Sequence, residues 1–311
     1  MTFPALPVTW SLDGMLFNVG TDAQGHSLVV DVPAWDNPPP PKPRVSEKAE
    51  AHGAFQGPNY RGGVSLRIIG TAQALTSASR EILRDRLAGL CLDPDTFYPL
   101  TCHNPWRTSG DLTMWVKLDD LPDFRRKPDG VTLNVDIPVF AADPWKYSAD
   151  NNPQSTGLAT AGLDGILWNG SPTASGGIEW NGSPTVTGGL IYESGQGSTG
   201  LIRLTNSGNQ EAPILMTISG SVTNPQLVAV QSQQRIRWVG TVTAPDVLTI
   251  DTKTGRVTLG PPGSATPVNV AAGLSDAQFF KVPANSFLDI AFTATSGSGT
   301  IFTAINKNVY A

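Results

Sequence analysis

Val131-Thr132-Leu133-Asn134-Val135-Asp136-Ile137-Pro138-Val139 alternates between aliphatic and small or polar residues. Two is the period of a β-strand, so the five aliphatic side chains share one face and predict a strand buried on one side. Leu112-Thr113-Met114-Trp115-Val116-Lys117-Leu118 carries the same pattern upstream. Further out, Ser27-Leu28-Val29-Val30-Asp31-Val32 and Val64-Ser65-Leu66-Arg67-Ile68-Ile69 are strand candidates, the second with Val64, Leu66 and Ile68 on one face. A single amphipathic helix interrupts them. Thr76 or Ser77 caps its start, Leu83, Leu87 and Leu90 follow helical spacing, and Arg80, Glu81, Arg84, Asp85 and Arg86 fill the exposed side until it ends near Gly89. The first half is therefore a small sheet with one packed helix, closing at Ala141-Ala142-Asp143-Pro144-Trp145-Lys146-Tyr147.

Composition agrees. Glycine and proline supply 32 and 26 of the 311 residues, well above the roughly 12% of average usage, which disfavours long helices. Hydrophobic residues make up 40% and charged ones 15%, so the chain is not of the charge-rich disordered kind. Residues 1–150 carry 14 Lys/Arg and 18 Asp/Glu, residues 151–311 only 7 and 8, so the composition shifts near residue 150. A net charge of −5 with no basic face argues against nucleic-acid binding. Arg125-Arg126-Lys127, flanked by Asp119, Asp120, Asp123 and Asp129, reads as a solvated loop. No secretory signal and no membrane-spanning segment is expected, and the two cysteines, Cys91 and Cys102, read as free thiols in a reducing compartment. Pro38-Pro39-Pro40-Pro41-Lys42-Pro43 lacks the amide donors of a sheet interior and is expected as an extended surface arm, reaching a neighbour or simply linking two strands.

Beyond residue 150 the text changes. Gly165-Ile166-Leu167-Trp168-Asn169-Gly170-Ser171-Pro172-Thr173 recurs as Gly177-Ile178-Glu179-Trp180-Asn181-Gly182-Ser183-Pro184-Thr185, and a degenerate third copy starts at Gly189. Trp168, Trp180 and Tyr192 are twelve residues apart, which predicts stacked strands or hairpins with one aromatic stripe, inserted as an arm on a larger domain. From residue 201 short strands are expected at 201–204, 214–218, 226–230, 235–238, 247–251, 256–259, 287–292 and 300–302. Lys253-Thr254-Gly255 and Ser296-Gly297-Ser298-Gly299 read as hairpin connections. Eight such strands describe a β-sandwich.

Catalytic, cofactor-binding and metal-binding residues are all expected to be absent. His26, His52 and His103 sit in unrelated contexts without metal-ligand spacing. Cys102 and His103 are adjacent, hence on opposite faces of a strand. Gly195-Gln196-Gly197-Ser198-Thr199-Gly200 has dinucleotide-loop spacing but runs into the strand-like Leu201-Ile202-Arg203-Leu204, where phosphate binding needs a helix. Asn169 and Asn181 head glycosylation-type triplets that read as turns, and Asp246, Asp251 and Asp289 read as turn caps rather than a calcium or acid–base set. Trp168 and Trp180 suit mutual packing, or stacking on a sugar.

Leu201 to Pro213, Ile218 to Pro225 and Leu248 to Thr252, together with Asn59-Tyr60-Arg61-Gly62-Gly63, Leu66 to Gly70, the helix from Arg80 to Leu90 and Val139 to Tyr147, resemble the siphophage distal tail protein family in order and spacing. The resemblance covers most of the chain apart from residues 153–190. It implies a mainly β fold, with an N-terminal split-barrel-like β domain with one α-helix and a C-terminal galectin-like antiparallel β-sandwich. The expected division is a ring-forming belt domain over 1–150, a linker with the repeat insert over 151–200, and the sandwich over 201–311. The family is structural. The resemblance implies a homo-hexameric ring at the end of a phage tail tube, a hub between tube protein and tail-tip or baseplate proteins. The expected location is the virion tail tip after assembly in the host cytoplasm. The alternative is a carbohydrate-binding module contacting the host surface. Galectin-type binding uses clustered His, Asn, Arg and Trp, whereas residues 201–311 contain no His and only Trp238.

Overall fold

The computed structural model of the chain describes residues 8–43, 45–47, 52, 54–57, 60–159 and 198–311. The twelve-residue repeat lies outside the described residues. The first half holds β1 (Thr9–Leu12), β2 (Met15–Phe17), β3 (Ser27–Asp31), β4 (Pro41–Lys42), β5 (Val45–Glu47), β6 (Ala54–Gln56), β7 (Tyr60–Arg61) and β8 (Val64–Gln73). The helix α1 (Ser77–Ala88) follows, then β9 (Tyr98–His103), β10 (Leu112–Leu118), β11 (Asp123–Arg126), β12 (Thr132–Ala141) and β13 (Lys146–Ser148).

Seven of these strands run through one curved sheet in the order β2-β1-β9-β10-β12-β8-β3, with β11 and β13 at its side. Its two end strands nearly meet: the Asn18 N–H donates to Leu28 O at 2.8 Å, and Thr21 bridges Ser27. The result is a nearly closed barrel. Beyond those contacts the backbones of β1 and β3 part, and the side chain of Asn18 spans the split. Its Nδ2 donates to Val8 O and Val30 O at 3.0 and 2.9 Å, and its Oδ1 accepts from Val30 N at 2.8 Å. A side-chain amide thus replaces a missing stretch of ladder, and Asn18 is buried with φ +66, a conformation asparagine tolerates.

The alternation that predicted β12 is borne out: Leu133, Val135, Ile137 and Val139 all lie in the barrel core. Pro138 survives inside this strand because its carbonyl, which accepts from Asp119 N, points where β10 has ended and β11 has not begun. Its missing donor costs nothing there. Arg125 and Arg126 correct the expectation of a loop, since both belong to β11. That edge strand is carried by its pairing with β12, while their own side chains stay exposed on Asp123 and Glu81. Thr76 caps α1 by accepting from Ser79 N, Gly89 ends it, and Leu83 and Leu87 are its buried residues. Within the proline arm, β4 pairs β7, and β5 pairs β6 beyond it.

The second half holds β14 (Asn152–Gly157), β15 (Leu201–Asn206), β16 (Ile214–Thr223), β17 (Gln226–Ala229), β18 (Arg235–Trp238), β19 (Thr241–Val242) and β20 (Val247–Asp251). It continues with β21 (Arg256–Gly260), β22 (Val268–Asn269), β23 (Leu274–Ala277), β24 (Ser286–Thr293), β25 (Ser296–Asn306) and β26 (Val309–Tyr310). One sheet runs β14-β25-β16-β20-β21-β22 and the other β15-β24-β17-β18-β23. Their inner faces meet at Phe292 and Phe302, ring centroids 5.4 Å apart, one from each sheet. Lys253-Thr254-Gly255 is the turn between β20 and β21, as expected. Ser296-Gly297-Ser298-Gly299 is not a turn; it opens β25, paired with Ser221 to Thr223 across a bulge at Gly220. β14, within the stretch read as linker, is an edge strand of this sandwich.

Candidate assembly surfaces

No catalytic group assembles from the sequence candidates. Cys102 faces the core and His103 the outer face, as adjacent strand residues must. Burial pushes the Cys91 thiol up to about 12, helped by the Asp13 charge, and the Cys102 thiol up to about 11, so both stay protonated and inert. His52 is exposed in the arm. Asp251 accepts from Lys253 N and Thr254 Oγ1, the turn cap expected of it. Asp289 lies on the opposite sheet, gripped by Arg203 through Nε–Oδ1 at 2.7 Å and Nη2–Oδ2 at 2.9 Å. The Arg203 hydrogen bonds hold its pKa below the usual carboxylate range against some burial. Among the described residues no three His, Cys, Asp or Glu cluster in a way that could hold a metal ion.

Two Ser/His/Asp sets are brought together that sequence spacing did not reveal. On the outer face, His103 Nδ1 lies 2.6 Å from Asp111 Oδ2 and His103 Nε2 lies 3.4 Å from Ser11 Oγ. Ser11 sits mid-strand between β2 and β9, so the surrounding backbone N–H groups are committed to two ladders. An acyl-transfer site needs such donors free for the oxyanion. In the second set, buried His26 places Nε2 2.7 Å from Ser79 Oγ and Nδ1 3.3 Å from Asp22 Oδ2. Asp22 also pairs with Arg86, so this set ties α1 to the β2–β3 connection. Burial opposes the Asp22 carboxylate, but backbone hydrogen bonds from His26 and Gln24, the His26 charge and a hydrogen bond from Arg86 hold its pKa low.

The surface is more telling than any cavity. The split in the barrel opens a pocket of about 700 Å³ floored by Trp10 and Trp35, packed edge to face at 5.1 Å, with an Arg107–Asp36 ion pair at its rim. Beside it Trp106 stands 72% exposed, and Trp115 and Phe97 are each 45% exposed on the barrel exterior. Phe97 lies under the Lys117 ammonium at 4.5 Å. Trp106, Trp115 and Phe97 thus leave large apolar surface uncovered on the barrel. In the sandwich the single tryptophan of residues 201–311, Trp238, is buried and its Nε1 donates to Val270 O at 3.2 Å. It is therefore not available to stack on a sugar.

A nearly closed barrel joined to a two-sheet sandwich has a counterpart among solved structures. The crystal structure of the SPP1 Dit protein (gp 19.1), described as a paradigm of hub adsorption apparatus in Gram-positive infecting phages, aligns over 98% of this chain and 99% of that one. The TM-score is 0.60 and the identity 11%, a likeness of fold. Two phage P2 baseplate structures in the activated conformation, with Ca and with Sr, each cover 96% of the chain at TM-score 0.44 and 12% identity. No family model and no curated protein matches the sequence.

Proposed function

We propose that this protein is a structural hub of a phage tail, forming a hexameric ring at the distal end of the tail tube and joining the tube to tail-tip or baseplate proteins. The observation that carries the reading is the alignment of both halves, end to end, with the SPP1 Dit fold. In this reading residues 1–150 form the ring, residues 201–311 face outward, residues 151–200 link them, and no residue is catalytic. The protein resides at the virion tail tip after assembly in the host cytoplasm. A closed ring uses a heterologous interface, so each protomer needs two different contact surfaces. The exposed Trp106, Trp115 and Phe97 of the barrel supply apolar surface of the kind such contacts bury.

Electron microscopy of intact particles tests this. Antibody-labelled or tagged protein is expected at the junction of tube and tip, in six copies. Label elsewhere on the particle, or a soluble protein that never associates with tube protein, overturns the reading.

A further inference from the structure

The last residues of the chain return to the barrel. β26 pairs with β13 (Lys146↔Tyr310, Tyr147↔Val309), so the barrel sheet is extended by the end of the sandwich chain. Side chains are exchanged across this seam. Tyr147, from the barrel sheet, lies in the sandwich core, while Tyr310 packs against the barrel core and its neighbour Val309 is buried in the sandwich. Polar ties reinforce it. Ser148 N donates to Asn308 O at 3.0 Å, Asn308 N donates to Ser148 Oγ at 3.0 Å, and Ala311 N donates to Asn209 Oδ1 at 2.8 Å. Lys146 is buried to 2% exposure, and its Nζ donates to Ala311 O at 2.6 Å. On the sandwich side, Gly208 lies so close to the strand that a Cβ there would sit 2.0 Å from Val309 O.

We propose that this C-terminal strand is a latch that fixes the orientation of the sandwich on the barrel, so that releasing it lets the folded sandwich swing. Two residues of ladder are short, but they close the joint between two separately cored bodies. Further ties flank it: Trp145 packs against the sandwich core, and Lys253, on the β20–β21 turn, pairs with Asp143 and lies 4.7 Å over the Tyr147 ring. The Lys253 tie joins an exposed ammonium to a half-buried carboxylate, and its open lysine end leaves it weakened by solvent and salt. The latch instead covers a buried lysine amine, which loses its acceptor when the strand leaves.

The test is a distance distribution between spin labels on exposed Ala78→Cys in the barrel and Ala265→Cys in the sandwich; the native Cys91 and Cys102 are buried. The full chain is expected to give one narrow distribution. A chain ending at Val309 and carrying Lys146→Met, which removes the stranded amine, is expected to broaden it at least twofold while near-ultraviolet circular dichroism stays native. Lys253→Ala is expected to leave it narrow. An unchanged width in the folded shortened chain overturns the latch, as does broadening by Lys253→Ala alone. Should the shortened chain fail to fold, Tyr310→Ala in the full-length chain carries the same two outcomes.

Discussion

The barrel and the sandwich both set a buried asparagine where backbone pairing stops, and Asn18 and Asn206 are used differently. Asn18 satisfies Val8 and Val30, groups that belong entirely to the barrel. Asn206 donates to Gln210 O at 2.7 Å and Pro283 O at 3.2 Å and accepts from Gly208 N and Val309 N at 2.9 and 3.3 Å. It therefore holds sandwich loops and the strand that returns to the barrel. The barrel nearly closes on itself; the strand that returns from the sandwich pairs with β13 and meets the sandwich at the Gln210–Val309 bridge. The barrel is the more self-sufficient unit, and the sandwich is an attachment whose placement depends on the joint.

The largest effects that can break this comparison come from emptying the two cores. Phe17→Ala in the barrel and Phe302→Ala in the sandwich each remove a fully buried ring and are expected to cost about 3–5 kcal/mol. With the joint latched, both should lower one common unfolding transition in calorimetry. Two transitions, each sensitive to only one of the substitutions, would show that the halves unfold independently.

Next come the asparagines themselves. Asn18→Ala strands two buried backbone groups of Val30 and the part-buried Val8 O, and a loss of about 2–3 kcal/mol is expected from roughly 1 kcal/mol or more per unmet group. Asn206→Ala should cost a similar amount by urea denaturation. It should also loosen the strand, seen as faster amide exchange at Val309; exchange there unchanged by Asn206→Ala, or equally raised by Asn18→Ala, would remove the distinction between the two.

Much of this fold was legible in the sequence, and what was not has common causes. β10 and β12 announced themselves because a one-sided strand must alternate, and α1 because Leu83 and Leu87 sit a turn apart behind the Thr76 cap. β14, reading Asn-Pro-Gln-Ser-Thr-Gly, has no apolar period, because it is an edge strand defined by its pairing with β25. The start of β25 looked like a glycine–serine turn for the same reason. β9 went unnoticed since Pro99 interrupts it, yet β1 pairs only as far as Leu100 and leaves Pro99 free of that ladder. Asn18, Asn206, Trp106 and the latch acquire meaning only from tertiary neighbours. An isolated asparagine reads as a turn, and a terminal Val-Tyr reads as nothing.

Exposed anchors separate the halves by assembly rather than stability. Trp106→Ser on the barrel is expected to leave the melting temperature within a degree or two. It should weaken ring formation by about 2 kcal/mol per contact, the scale of an interface hot spot, read by mass photometry across a dilution series. Phe287→Ser, on the sandwich exterior beneath Arg203 at 4.2 Å, should leave the ring intact. A ring lost with Phe287→Ser and kept with Trp106→Ser would move the assembly surface to the sandwich.

The smallest expected effect is in acid, and it too has a barrel and a sandwich member. Asp22 and Asp289 both have folded pKa values below their ordinary one, the first despite opposing burial and through His26 and Arg86, the second chiefly through Arg203. A depressed carboxyl contributes stability that is present above the unfolded value of about 3.9 and is lost as pH falls through the lower folded value. Each should therefore steepen the loss of stability below about pH 4 and add nothing to pH dependence near neutrality. Asp289→Asn should flatten the acid limb of the denaturation midpoint against pH, and Asp22→Asn should do so separately, because they sit in different bodies. If the two flattenings add in the double variant, the sites are independent, as groups well apart normally are. If either variant alone removes the whole acid limb, a single coupled network spans the joint, and the barrel is less self-sufficient than Asn18 implies.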